Sequence, residues 1–304
     1  MKILLTGATG FLGSSLLKKL SNSGYEVIYL CRNNSNLFRI NKEFTNTKCL
    51  ILDDWSDFSI VNKHFGREEC VIIHCAWRGV AGSERNEEWQ FFDNVSMCNS
   101  LLKGISELNV KKFINFGSHA EYGPLNKIIS EDDNKIPSTM YGLTKKIINN
   151  LLVEYFNNTG VEYINLRIFN LYGPFDNDNW FIPYIINNYL NGLSPELTKC
   201  EQIWDYLYID DFCNLVSLVV ENNIKGEYNA GSGIGVPLTE VVNCISRHIP
   251  NSPDPNFGIV KYRDDQVMHL QADISKISKA TNWLPEVSLQ DGILHTINYF
   301  KNRG

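Results

Sequence analysis

The chain has 304 residues, enough to bury a large apolar core without disulfides or metals. Hydrophobic residues make up 43% and charged residues 20%, which excludes a disordered or low-complexity chain. The formal net charge of -6 argues against a nucleic-acid partner, because a phosphate backbone needs a basic footprint.

In chain order, Lys2–Thr6 is a short apolar run that predicts a strand, and it enters a glycine turn rather than a cleavage site. Phe11–Leu20 carries apolar residues at helical spacing. Glu26–Leu30, Cys49–Leu52 and Val71–Ala76 predict the second, third and fourth strands. Phe92–Leu108 predicts a helix and Lys112–Phe116 a fifth strand. Tyr141–Phe156 predicts a helix with Leu143, Ile147, Leu151, Leu152 and Tyr155 on one side, started after Pro137-Ser138 and stopped at Asn158-Thr159-Gly160. Val161–Arg167 predicts a sixth strand. Strands alternating with helices imply an α/β fold: a Rossmann-like, doubly wound parallel sheet. The pattern loosens after about Tyr172, where a smaller C-terminal, substrate-binding lobe is expected. The expected division is 1–170 for the dinucleotide-binding domain and 171–304 for the lobe, with 205–231 returning to the first domain. No run approaches a membrane span. The 8 cysteines, among them Cys31, Cys70 and Cys75, form no Cys-x-x-Cys pair, so reduced thiols in a cytoplasmic protein and no bound metal are expected.

Gly7-Ala8-Thr9-Gly10-Phe11-Leu12-Gly13 joins the first strand to the first helix. Glycines there permit a tight turn and close approach of a pyrophosphate to backbone N–H groups at a helix N-terminus. In dinucleotide folds a carboxylate ending the second strand holds the ribose hydroxyls and selects NAD. Here the strand ends Tyr29-Leu30-Cys31-Arg32-Asn33. Arg32 offers a fixed cation with forked donors, matched to a 2′-phosphate, so NADP(H) is the expected cofactor, with Ser35 as a candidate helper.

Tyr141 and Lys145 stand four residues apart, on one face of a helix. An unperturbed phenol titrates near pH ~10. A neighbouring ammonium stabilises the phenolate and brings it toward the working range. Ser118 lies just beyond the fifth strand, where ligands bind in an open α/β sheet.

The Gly-x-x-Gly-x-x-Gly spacing, Tyr141-Gly-Leu-Thr-Lys145 and Phe116-Gly-Ser-His-Ala-Glu-Tyr-Gly123 together resemble the extended short-chain dehydrogenase/reductases, in the NAD-dependent epimerase/dehydratase branch. The resemblance runs over nearly the whole chain. It implies that Ser118, Tyr141 and Lys145 are catalytic, with Lys145 also holding the nicotinamide ribose. It implies cofactor contacts from Gly7, Thr9, Gly10, Phe11, Leu12 and Gly13, with Asp54 on the adenine side. Cys75, Ala76 and Trp77 would run under the cofactor, and Asn94 matches a helix asparagine of the family. His119, Asn170 and Arg263 match substrate-side positions, the last two on the sugar diphosphate. Trp204 stands where many relatives carry a diphosphate-binding arginine. Either the diphosphate relies more on Arg263, or Trp204 stacks on the base or sugar, so the base is left open. A homodimer is implied, pairing the Tyr141 and Phe92–Leu108 helices with their mates through residues such as Ile148, Leu152 and Phe156.

Among the family's reactions, 4,6-dehydration requires an acidic pair where this chain has His119 and Ala120. Epimerisation coupled to reduction requires a cysteine at Ala120 and a histidine at Asn179. The expectation is therefore NADPH-dependent reduction of the C4 keto group of a nucleotide-linked 4-keto-6-deoxyhexose, on a surface-polysaccharide route, with product stereochemistry open. The alternatives are an NAD-dependent 4-epimerase and, outside enzymes, a dinucleotide-sensing regulator. The latter usually loses the tyrosine or lysine present here.

Overall fold

A computed structural model describes residues 1–40, 44–263 and 265–303. The apolar runs form strands: β1 (Lys2–Thr6), β2 (Glu26–Cys31), β3 (Thr47–Ile51), β4 (Glu69–His74) and β5 (Asn109–Ser118), with β6 (Lys127–Ile129) and β7 (Glu162–Ile168) after them. Between them lie α1 (Phe11–Asn22), α2 (Ser59–Phe65), α3 (Trp89–Ile105) and α4 (Met140–Phe156). The later chain adds β8 (Asn170–Tyr172), α5 (Phe181–Leu190), β9 (Ile203–Tyr208), α6 (Ile209–Glu221), β10 (Gly226–Ala230), β11 (Gly235–Pro237), α7 (Leu238–His248), β12 (His269–Ala272), α8 (Ser275–Thr281) and α9 (Leu289–Arg303).

Seven strands form one sheet in the order β10-β7-β5-β4-β1-β2-β3. The pairings of β1 with β2 and β4, of β2 with β3 and of β4 with β5 are all parallel. Ile3, Leu4, Leu5, Val71, Ile72 and Ile73 are fully buried, which is why β1 and β4 read as unbroken apolar runs rather than alternating ones. The strand order reverses between β1 and β4, and ligands of open α/β sheets bind beyond the carboxyl ends of the strands at such a reversal. A second sheet has the order β11-β9-β12-β6, with β8 beside β9.

The chain divides into two units of interleaved segments. The first comprises 1–123, 134–167 and 213–228; the second comprises 124–133, 168–212 and 229–304. In the first unit Lys112 is almost wholly buried on β5. Its ammonium donates to the carbonyls of Val219 (2.6 Å), Val220 (3.1 Å) and Asn222 (2.6 Å), and lies 3.3 Å from Glu162. A buried cation is tolerated because each of its three donors has an acceptor, here the free carbonyls ending α6.

The buried face of α4 shares only Leu152 fully with its apolar stripe. Ile148, Leu152 and Phe156 are buried within the protomer. Phe156 stacks on Tyr163 (5.8 Å between centroids) and lies 5.0 Å from Phe113. These three side chains therefore cannot supply the expected subunit contact, because the β-sheet core already covers them. Leu143, Leu151 and Tyr155, one helical row away, are the exposed ones, as is Phe92 of α3. Among the described residues no helix is long and apolar enough to cross a membrane.

Candidate active site

The site starts at the β1–α1 junction. Gly7 has φ +70°, and a Cβ there would sit 2.6 Å from the Ala76 nitrogen, so only glycine lets this turn lie against the segment leaving β4. Thr6 tightens the same place, its hydroxyl 2.8 Å from His74 Nδ1 and accepting from the Ala76 nitrogen at 3.2 Å. Gly10 is the N-cap of α1 with no side-chain cap, and the first turn of α1 holds no acidic residue. The turn contains Thr9, and Phe11, Leu12 and Gly13 open the helix. Its N-terminal turn thus carries no acidic side chain of its own, which fits the pyrophosphate of a dinucleotide.

Cys75, Ala76 and Trp77 leave β4 and are held by α3. Asn94 is fully buried, and its amide accepts from the Arg78 nitrogen (2.8 Å) and donates to the Arg78 and Gln90 carbonyls (3.1 and 2.8 Å). Asn94 thus clamps the loop after β4. Gln90 Oε1 accepts from the Trp77 indole at 3.1 Å. Arg32 is exposed after β2, with its backbone N–H on the Ser35 hydroxyl at 2.9 Å. The Asn33 N–H donates to Asp53 at 2.7 Å, so a carboxylate from the end of β3 fixes the turn that carries Arg32. Asp54 is exposed and takes the Ser56 N–H at 2.8 Å; the Ser56 side chain first, and then this backbone bond, lower its pKa.

Ser118 ends β5 buried, and its hydroxyl accepts from the Ala120 N–H at 3.2 Å, starting a one-turn helix over His119–Glu121. The Ser118 N–H donates to Glu121 at 3.0 Å. Glu121 is itself fully buried and ion-paired with Arg167 at 2.7 Å. Arg167 pairs in turn with Glu227. Against this turn packs the start of α4. A Cβ on Gly142 would meet the Ala120 carbonyl at 2.3 Å, so the glycine after Tyr141 lets the helix lie directly against the turn that Ser118 begins.

Lys145, one turn on, is buried. Its ammonium donates to the Phe116 carbonyl at 2.8 Å and lies 3.7 Å from the Trp77 ring centroid. Burial pushes its pKa down to about 8, against the pull of Glu121. The Trp77 and Tyr141 rings meet edge-on at 5.6 Å. Burial raises the Tyr141 pKa, opposed first by the Arg85 charge and then by the Ser118 hydrogen bond. Arg85, a cation that helical spacing could not point to, stands 5.3 Å from the Tyr141 ring centroid. His119 is pushed down to about 3 by burial and by Arg85, and is neutral at pH 7.

The structure therefore brings Ser118, Tyr141, Lys145, Trp77 and the glycine turn into one unit, and adds Arg85 and Glu121. Sequence reasoning missed these two because they come from separate elements. Asn170 and Trp204 belong to the second unit. Asn170 donates to the Asp205 carbonyl at 2.8 Å, and the Trp204 indole donates to the Val267 carbonyl at 2.9 Å. Asp205 is a buried hub, taking the N–H groups of Ser232 (2.7 Å), Gly233 (2.9 Å) and Ala272 (3.1 Å). Arg263 is exposed, 3.7 Å from Asp265.

A glycine cradle at the sheet reversal, with a serine, tyrosine and lysine beside it, agrees with the match of residues 3–231 to the family model of the NAD dependent epimerase/dehydratase family. The chain belongs to that family. It is thus an enzyme of a family whose members use a nicotinamide dinucleotide. The chain is 29% identical to a putative UDP-glucose 4-epimerase of Methanocaldococcus jannaschii, over 99% of this chain and 98% of that protein. It is 28% identical to the CDP-abequose synthase of Salmonella typhimurium, over 96% of this chain and 95% of that protein. Among solved structures, the UDP-glucuronic acid 4-epimerase of Bacillus cereus, in complex with UDP-glucuronic acid and NAD, superposes with a TM-score of 0.87 at 26% identity, covering 100% of both chains. In this family member Ser118 ends β5, and Tyr141 and Lys145 of α4 lie against Trp77, just beyond β4.

Proposed function

We propose that this enzyme reduces the C4 keto group of a nucleotide-linked 4-keto-6-deoxyhexose with NADPH. The observation that carries the reading is the state of the Ser118–Tyr141–Lys145 cluster. Tyr141 stands beside Ser118, which with Arg85 opposes the rise that burial imposes on its pKa, and burial keeps it a phenol at neutral pH, ready to donate a proton. The nearest carboxylate, Glu121, is locked to Arg167 and to the Ser118 N–H, so it is not placed to serve as the acid or base of a dehydration. His119 is neutral and Ala120 is inert, which leaves reduction and epimerisation as the chemistry open to the cluster.

Bound nicotinamide supplies the hydride. This chain's residues do the rest. Gly7 through Gly13 hold the pyrophosphate on the α1 N-terminus, Asp54 meets the adenine, and Arg32 takes a 2′-phosphate. Cys75, Ala76 and Trp77, held in place by Asn94, line the floor. Lys145 turns its remaining donors to the nicotinamide ribose. Ser118 and Tyr141 hold the keto oxygen, and Tyr141 gives it a proton. His119 borders the sugar. The names of the relatives support a nucleotide-linked sugar as the substrate class.

A second reading, 4-epimerisation with a retained NAD, is favoured by the Bacillus cereus enzyme, whose structure holds NAD. One panel separates the two. dTDP-, CDP-, GDP- and UDP-linked 4-ketosugars are offered with NADPH, its absorbance is followed, and the product is identified by NMR. Stoichiometric NADPH oxidation is expected. Interconversion of two 4-hydroxy sugars without net cofactor use overturns the reductase in favour of the epimerase.

A further inference from the structure

Arg85 follows a single helical turn over Gly82–Glu84 in the loop between β4 and α3. Its backbone is fixed to the start of α4: the Arg85 carbonyl accepts the Tyr141 N–H at 2.8 Å, and the neighbouring Asn86 side chain accepts the Met140 N–H at 3.3 Å. The guanidinium is thereby held 5.3 Å from the centre of the Tyr141 ring. Its Nε is buried and has no hydrogen-bond partner among the described residues. Lys145, the other cation beside this tyrosine, donates a hydrogen bond to the Phe116 carbonyl; Arg85 Nε has no such acceptor among the described residues. Buried N–H groups in folded proteins are almost always paired, and an orphan of this kind costs stability. A cation rigidly placed on the catalytic tyrosine, with a donor left open, is arranged for an acceptor that arrives with the substrate.

We propose that Arg85 is a further substrate-contacting residue, whose Nε–H holds an oxygen of the sugar next to the oxygen that Tyr141 protonates. This assignment rests on the nucleotide-sugar reading above. The acceptor is a hydroxyl or ring-substituent oxygen, because the pocket's other polar groups, Ser118 and Tyr141, are occupied with the reacting oxygen. The charge acts on the tyrosine as well: it opposes the rise that burial imposes on the Tyr141 pKa, and so keeps the phenol a better acid than burial alone would allow.

The test uses the full chain and two variants, Arg85→Met and Arg85→Lys. Binding of dTDP-, CDP-, GDP- and UDP-4-keto-6-deoxyhexoses to the NADP-loaded protein is measured by calorimetry. kcat, KM, cofactor affinity and the melting temperature of the ligand-free protein are measured beside it. Arg85→Met is expected to weaken sugar-nucleotide binding by roughly 10- to 150-fold, the range for a lost charged hydrogen bond, with cofactor affinity within about threefold. Its melting temperature should stay level or rise, because the orphaned donor is gone; a merely structural arginine would lower it. Arg85→Lys keeps the charge but has no Nε–H at that place, so it should stay impaired by at least about tenfold. Sugar binding within about threefold of the parent in either folded variant overturns the assignment, as does an equal loss of cofactor binding. If the unmutated enzyme neither binds nor turns over any of the four sugars, the nucleotide-sugar reading itself fails, and Arg85's role falls with it.

Discussion

Replacing Lys145 with methionine removes a charge that folding buries. Its pKa falls from 10.5 to about 8, which at about 1.36 kcal/mol per pH unit is roughly 3 kcal/mol against the folded state. The sign follows from proton counting. Below pH 8 both states hold the proton and the whole penalty acts. From pH 8 toward 10.5 the folded chain sheds the proton while the unfolded chain keeps it, so stability is regained as pH rises. Between pH 7 and pH 9 the recovered part is about 1.4 kcal/mol. The assay is urea unfolding of the cofactor-free parent and of Lys145→Met at both pH values. All other titrating groups are common to the two proteins and cancel in the difference, as does the Phe116 carbonyl left without its donor. The parent should gain about 1.4 kcal/mol on the variant between pH 7 and 9. Curves that stay parallel would show that Lys145 keeps an ordinary pKa, and with it that the ammonium is not desolvated between Trp77 and Phe116.

Tyr141→Phe keeps the ring against Trp77 and removes only the proton donor, so kcat should fall by about 10²- to 10⁴-fold with cofactor affinity nearly intact; retention of most of the rate means another acid is used. Arg32→Asp should reverse a preference for NADPH over NADH in fluorescence titrations, since it replaces a forked cation by an anion at an exposed position after β2; equal affinities in both proteins remove Arg32 from cofactor choice. A homodimer through the exposed row of α4 predicts that Leu151→Glu gives a monomer by light scattering at micromolar concentration. A monomeric parent rejects the dimer outright.

Much of the first unit was legible because a parallel sheet leaves an unambiguous trace. β1, β2 and β4 are apolar along their length, and the glycine turn marks the first crossover. Tyr141 and Lys145 were legible because helical spacing alone puts them on one face. The buried side of α4 was not. Its Lys145 and Asn149 share a face with Ile148 and Leu152, so the inward side is less purely apolar than the outward row Leu143–Leu151–Tyr155. A hydrophobic pattern picks the greasier side, whereas packing picks the side that carries the chemistry. Arg85 and Glu121 were opaque for a different reason. They reach the tyrosine from the β4–α3 loop and the turn after β5, and no periodicity links separate elements.

The interleaving of the chain bears on how the protein is made. In the finished sheet β10 covers the outer side of β7, and the end of α6 supplies the three carbonyls around the Lys112 ammonium. A nascent chain that has emerged only to Arg167 has neither. It would present β7 as an open edge, ready to pair with another chain, and a buried ammonium stripped of its acceptors. The first unit therefore closes only once about 228 residues have left the ribosome, by which time β8 and β9 of the second unit are already out. An expressed fragment ending near residue 170 should need a chaperone's shelter or aggregate, however complete its glycine turn and catalytic residues.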